Sequence, residues 1–121
     1  MYMYFRQLIG KYGEDLACNY LKDNNYIILE RNFYCRQGEI DIIAKDLTKN
    51  ELVFFEVKTR SNFRYGNPAD SVDKNKKSHL YKACEYYLYK NNIHRLFIRI
   101  DVIEVFLKPD CYEINHIKQV F

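Results

Sequence analysis

Residues 54–60 read FFEVKTR and close a longer run, ELVFFEVKTR, at 51–60. Leu52, Val53, Phe54, Phe55 and Val57 have the character of a buried strand, yet Glu56 and Lys58 interrupt it. A charged group leaves water for a protein interior at high cost unless it is paired or bound. Strand side chains alternate, so Glu56 and Lys58 share one face. That face carries an acid and a base which something must satisfy.

The preceding segment, QGEIDIIAKD at 37–46, reads as a second strand. Ile40, Ile42 and Ala44 fall on one face, and Glu39, Asp41 and Ile43 on the other. The polar DLTKNE between the two strands is a turn, so they form an antiparallel hairpin. A turn centred between Thr48 and Lys49 sets Asp41 directly across from Glu56. Directly opposed residues share a face, with Cβ atoms roughly 4.5–5.5 Å apart. A slip of one residue in register undoes this arrangement. Opposed carboxylates repel, and a divalent cation between them relieves the repulsion. Mg²⁺ takes one or two protein carboxylates, several waters and phosphate oxygens. Lys58 beside them suits contact with a phosphate or polarisation of an attacking water. The rival reading is an ordinary cross-strand ion pair on a half-exposed sheet, because D…E-x-K by spacing alone is not specific.

YIILERNFYC at 26–35 suits a first strand. Residues 5–23 read as a helix, with Ile9, Gly13, Leu16, Ala17, Tyr20 and Leu21 at helical spacing. Gly10 and Gly13 are costly inside a helix, which implies that something packs close there. SNFRYGNPAD at 61–70 is a loop. A helix follows from about Asp70 to Asn91, with Val72, Lys76, Leu80, Ala83 and Tyr87 on one side. RLFIRIDVIEVFL at 95–107 is a strand, and the tail from Cys111 to Phe121 suits a short strand and a turn of helix. The order is helix, three strands, helix, strand, within one domain over 1–121.

The chain has 121 residues, 48% hydrophobic and 29% charged, which suits a soluble domain with a real core. No apolar run reaches the roughly 18 residues of a membrane span. The start, MYMYFRQLIGKYGED, lacks the pattern of a signal peptide, so the expected location is cytoplasmic, with no membrane partner. Cys18, Cys35, Cys84 and Cys111 are scattered with no C-x-x-C, which points to reduced, mostly buried thiols rather than a zinc or redox site. His79, His94 and His116 are isolated and expected at the surface.

Net charge is +3 but uneven. Between residues 58 and 82, Lys58, Arg60, Arg64, Lys74, Lys76, Lys77 and Lys82 face only Asp70 and Asp73, giving +5 and leaving −2 for the rest. Such a sector can attract a polyanion, although on charge alone a solvated helix face explains it better.

GEIDIIA at 38–44 followed by FFEVKTR at 54–60 resembles the YraN-like bacterial family, itself similar to the restriction-endonuclease-like PD-(D/E)XK nucleases and the archaeal Holliday junction resolvases. Gly13-Glu14, Ala17 and Tyr20-Leu21 resemble the family's first helix. Asn32, the segment Gly66, Pro68, Val72 and Lys76, and Arg99 with Asp101-Val102 carry the likeness across nearly the whole chain. The resemblance implies an α/β restriction-endonuclease-like core, a mixed central sheet of order α-β-β-β-α-β flanked by helices. It implies Asp41 as the metal-binding aspartate, Glu56 as the second carboxylate, Lys58 as the motif lysine and Glu14 as a further acidic ligand for Mg²⁺ or Mn²⁺. Lys76 falls where such enzymes place an auxiliary basic residue. Lys58, Arg60, Arg64, Lys74, Lys76 and Lys77 would contact nucleic acid, DNA in the first instance, with branched or junction DNA as the analogous substrate. Symmetric cutting of two strands admits a homodimer. The other class is a non-catalytic nucleic-acid-binding or scaffold module on the same fold.

Overall fold

The structure, a computed structural model, describes residues 2–61 and 74–120, with the side chains of 2–4, 6 and 74 excepted. Arg64, Gly66, Pro68, Val72, the expected helix start at Asp70 and the side chain of Lys74 lie outside the described residues. Seven elements follow one another: α1 (Tyr2–Asp23), β1 (Tyr26–Cys35), β2 (Gly38–Asp46), β3 (Glu51–Arg60), α2 (Lys74–Lys90), β4 (Phe97–Leu107) and β5 (Tyr112–Ile117). The expected α-β-β-β-α-β order is present, in a mixed sheet with helices on its faces. The tail adds β5 as a fifth strand, with no helical turn among its described residues.

Asparagines punctuate the elements. Asn25 and Asn92, at the ends of α1 and α2, take left-handed φ values of 67° and 53°. Asn tolerates this region better than most residues and so ends a helix without a glycine. After α2 the Ile93 amide donates to the Leu88 carbonyl at 3.0 Å, which satisfies a terminal acceptor. In the β2–β3 turn, Asp46 Oδ1 accepts the Thr48 amide at 3.0 Å, the local bond for which aspartate suits turns.

The sheet order is β1-β2-β3-β4-β5, antiparallel except for β3 and β4, which run parallel through the α2 crossover. The β2–β3 hairpin has the expected register, from Asp46↔Glu51 to Ile42↔Phe55. Leu16, Ala17 and Leu21 of α1 pack on Ile42, Ala44, Val53, Phe55, Ile103 and Val105. Leu80, Ala83, Cys84 and Tyr87 of α2 pack on Phe33, Ile40, Ile43, Leu52, Phe54 and Ile100. Phe54 and Phe55, adjacent in sequence, are both fully buried on opposite faces, each worth roughly 1.5–3 kcal/mol of transfer free energy.

Strict alternation fails near Asp41, apart from the register shift between Ile28 and Glu30 in β1. Ile40 and Ile42 are two apart yet pack against different helices. Across the ladder, Phe33 faces α2 while Arg31 reaches Asp15 of α1. Between these pairs lie Asp41 and Asn32, and Asn32 has φ 52°. A left-handed residue in a strand turns the pleat over locally. Asp41 therefore sits where the faces exchange.

Gly13 explains how α1 lies on β3. A Cβ there would come within 1.9 Å of Thr59 Oγ1, so only glycine permits this approach. Gly10 differs from expectation: nothing lies within 4 Å of its Cβ position, and it opens onto a cleft instead. All four cysteines are free; Cys18 and Cys84 are buried, while Cys111 is exposed. Among the described residues no helix is long and apolar enough to cross a membrane.

Candidate active site

The C-terminal half of β3 carries the expected acid and base. Lys58 Nζ lies 3.3 Å from Glu56 Oε1. Lys76 Nζ, from the first turn of α2, lies 3.0 Å from the same oxygen. Two ammonium groups thus converge on one carboxylate. Burial holds Lys58 below the usual lysine range, and the neighbouring Lys76 adds to this. Lys76 moves the other way: against its own desolvation, contact with Lys58 and the carboxylates of Glu56 and Asp41 raise it.

Asp41 lies one residue beyond the last β2–β3 pair, and its Oδ2 accepts the Val57 amide at 2.7 Å. Its carboxyl is pushed up to about 7, first by burial and then by the charge of Glu56, against the bond from Val57. Glu14 and Glu39 push in the same direction more weakly. The two hairpin carboxylates are therefore close enough to repel, even though the face exchange at Asp41 turns it from the strict same-face position. Asp41, Glu14, Thr59 and Arg60 line a cleft of about 440 Å³ at the end of β3. Glu56 and Lys76 line a neighbouring one of about 390 Å³ with Glu39 and His79.

Glu14 stands one helical turn after Gly10, so the missing side chain leaves room beside its carboxylate. Arg31 Nη2 is 3.8 Å from Glu14 Oε1 and 2.8 Å from Asp15 Oδ1. Burial raises the Glu14 carboxyl, opposed by Arg31 and a hydrogen bond with Asn32. Among the described residues, no three His, Cys, Asp or Glu side chains converge tightly enough to hold a metal ion in this conformation. Of the expected nucleic-acid contacts, Arg60 borders the larger cleft, Lys76 serves Glu56, and Lys77 Nζ lies 5.9 Å over the Tyr81 ring.

Residues 13–105 match the family described as Uncharacterised protein family UPF0102. The chain belongs to UPF0102. This is the YraN-like family that the motifs resemble, and the match spans every expected site residue. A UPF0102 protein of Clostridium botulinum (strain 657 / Type Ba4) is 47% identical over 121 residues, covering 98% of this chain and 97% of the relative. A UPF0102 protein of Clostridium perfringens (strain ATCC 13124) is 44% identical over 120 residues, covering 97% and 96%.

Sequence reasoning missed part of the polar interior. Arg99 Nε donates to Asp101 Oδ1 at 3.0 Å, Nη1 to Asp46 Oδ2 and Glu51 Oε1 at 3.1 Å each, and Nη2 to the Tyr26 hydroxyl at 2.7 Å. Arg99 and Asp101, which carry part of the family likeness, thus form a salt bridge within a larger network. His116 is neither isolated nor at the surface: its side chain is 6% exposed. Its Nε2 meets Asp101 Oδ2 at 2.7 Å and its Nδ1 meets the Tyr20 hydroxyl at 2.9 Å. An Asp–His–Tyr chain has the outline of a nucleophile relay. However, burial and the nearby Asp101 charge raise the Tyr20 phenol. Through these contacts His116 ties α1 to β4 and β5. Glu104, also unforeseen, is fully buried in β4. Charges inside the apolar run IDVIEV were the available signal for Asp101 and Glu104, on the reasoning applied to Glu56.

Proposed function

We propose that this protein is a metal-dependent nuclease acting on DNA, with branched or junction DNA as its substrate class. The observation that carries this reading is the mutual repulsion of Asp41 and Glu56 beside the ammonium groups of Lys58 and Lys76. Perturbed carboxyls gather at functional sites, and Asp41, pushed up first by burial and then by Glu56, is such a group in a cleft. Two carboxylates suffice for Mg²⁺ or Mn²⁺, which keep waters and take phosphate oxygens for the rest. Asp41 and Glu56 fit that role, with Glu14 in the cleft that Asp41 lines as an outer ligand. A bound divalent ion there supplies neutralisation of phosphoryl charge and acidifies a water. Lys58 and Lys76 offer N–H donors to the phosphate where negative charge grows. Arg60 offers a forked donor at the cleft mouth.

Cleavage of branched, flapped and single-stranded DNA with Mg²⁺ or Mn²⁺ tests the proposal. Activity is expected to disappear in Asp41→Ala and Glu56→Ala. Cleavage that persists in both variants would reject this site.

One observation favours a second reading, a non-catalytic nucleic-acid-binding module. Both lysines already satisfy Glu56 Oε1, as in a plain ion-pair cluster. That reading expects DNA binding that ignores divalent metal and survives Glu56→Ala.

A further inference from the structure

Glu104 is 0% exposed. A carboxylate so placed costs several kcal/mol unless hydrogen bonds and an opposite charge meet it. The sheet register gives it Lys58 as partner on β3 and Asn115 as partner on β5. Asn115 Nδ2 donates to Oε1 at 2.7 Å. The other oxygen, Oε2, faces Arg60 Nε at 3.8 Å, and both atoms are buried without a hydrogen-bond partner. Arg60 pairs in register with Phe106, two residues beyond Glu104. Its side chain thus runs back along the sheet to the carboxylate, and Arg60 is also among the residues that line the cleft holding Asp41 and Glu14.

We propose that Glu104 is a positioning residue which, anchored by Asn115 of β5, holds Arg60 by its Nε and aims the outer guanidinium nitrogens at an anionic phosphate in the cleft. The identity of that anion as nucleic acid rests on the function proposed above; the anchoring does not. Arginine's planar fork keeps two terminal amino groups for a phosphate when Nε is engaged. A separation of 3.8 Å exceeds a charge-assisted hydrogen bond of about 2.8 Å. The pair therefore tightens when an anion fixes the far side of the guanidinium. Extending the sheet with β5 thereby gains a role at the site, by way of Asn115.

Two measurements on the full chain decide the matter. In the first, the Arg60 Nε–H resonance is followed by NMR without nucleic acid, then with inorganic phosphate. Glu104→Gln is expected to speed its solvent exchange several-fold and to abolish its phosphate-induced shift. In the second, the salt dependence of binding to a branched DNA is compared. Arg60→Gln and Glu104→Gln should each reduce the slope by about one, with no further loss in the double variant. A folded Glu104→Gln with unchanged Arg60 exchange and unchanged slope overturns the proposal, because a merely structural carboxylate would lower only the melting temperature. If Glu104→Gln does not fold, Asn115→Ala loosens the same carboxylate and is read in the same way. Absence of DNA affinity in the unmodified protein counts against the nuclease reading, while the resonance still decides the anchoring.

Discussion

Asp41 Oδ2 and the Val57 amide are joined at 2.7 Å across the open end of the β2–β3 hairpin. That bond holds a carboxyl against both burial and the charge of Glu56. The Asp41 carboxyl sits at about 7 in the folded chain against 3.8 for an ordinary aspartate. A raised carboxyl binds its proton more tightly when folded, so stability falls as pH rises from about 4 to about 7 and then levels off. In metal-free buffer at about pH 8, Asp41→Asn should stabilise the protein by on the order of 1–3 kcal/mol, with the gain vanishing near pH 4. Urea denaturation at the two pH values checks this, and equal stability at both would contradict it.

Divalent metal should reverse that penalty. Mn²⁺ is expected to raise the melting temperature of the unmodified protein by mass action, about 2.7 kcal/mol at a hundredfold excess over the dissociation constant. Asp41→Asn and Glu56→Gln should lose the response, whereas Lys77→Ala should keep it. Calorimetric titration gives the affinity directly, and a response that survives both carboxylate changes would place the ion elsewhere.

The Arg99 network fixes a different pH dependence. Against its burial, hydrogen bonds from His116, Arg99 and the Gln119 amide hold the Asp101 carboxyl below the usual range. Against its own desolvation, Arg99 and the turn amides of Lys49 and Thr48 do the same for Asp46. Depressed carboxyls contribute stability above the unfolded value near 4, and that contribution disappears as pH falls through the folded values. Arg99→Met leaves two buried acids without their cation and should cost about 3–5 kcal/mol at neutral pH. Its deficit against the unmodified protein should shrink in acid, which thermal melts across the pH range would reveal.

Two glycines in α1 should respond in opposite ways to alanine. Gly13→Ala puts a methyl group into Thr59, where Oγ1 is 1.9 Å away and Cβ and Cγ2 are 2.8 Å away. Forcing the helix off the strand should cost about 1–3 kcal/mol. Gly10→Ala meets nothing within 4 Å and should stabilise α1 by about 0.8–1 kcal/mol through helix propensity. Chemical denaturation of the two variants side by side separates the effects, and similar losses in both would refute the packing argument.

These sites were unequally legible in the sequence. The hairpin register could be read because the turn from Asp46 to Glu51 is short, polar and closed by an aspartate side chain, which leaves few alignments. Glu56 and Lys58 betrayed themselves as charges in an apolar run. The exchange of faces at Asp41 could not be read, since it depends on Asn32 adopting a left-handed conformation in mid-strand. His116 looked isolated because its partners, Tyr20 and Asp101, lie far away in the chain and meet it only once β5 has paired with β4. Glu104 was open to the argument used for Glu56, but its counterparts Arg60 and Asn115 come from strands on either side of it.

The parallel pairing of β3 with β4 bears on how the molecule assembles. The meander from β1 to β3 closes through short local loops, whereas β4 reaches β3 only after the chain has passed through the whole of α2. Contacts between segments far apart in sequence form slowly, because chain entropy is lost before they are gained. Folding should therefore build Asp41 and Glu56 early and join Glu104 to Arg60 last. Pulse-labelled hydrogen exchange would then find the amides that pair β2 with β3 protected before those that pair β3 with β4.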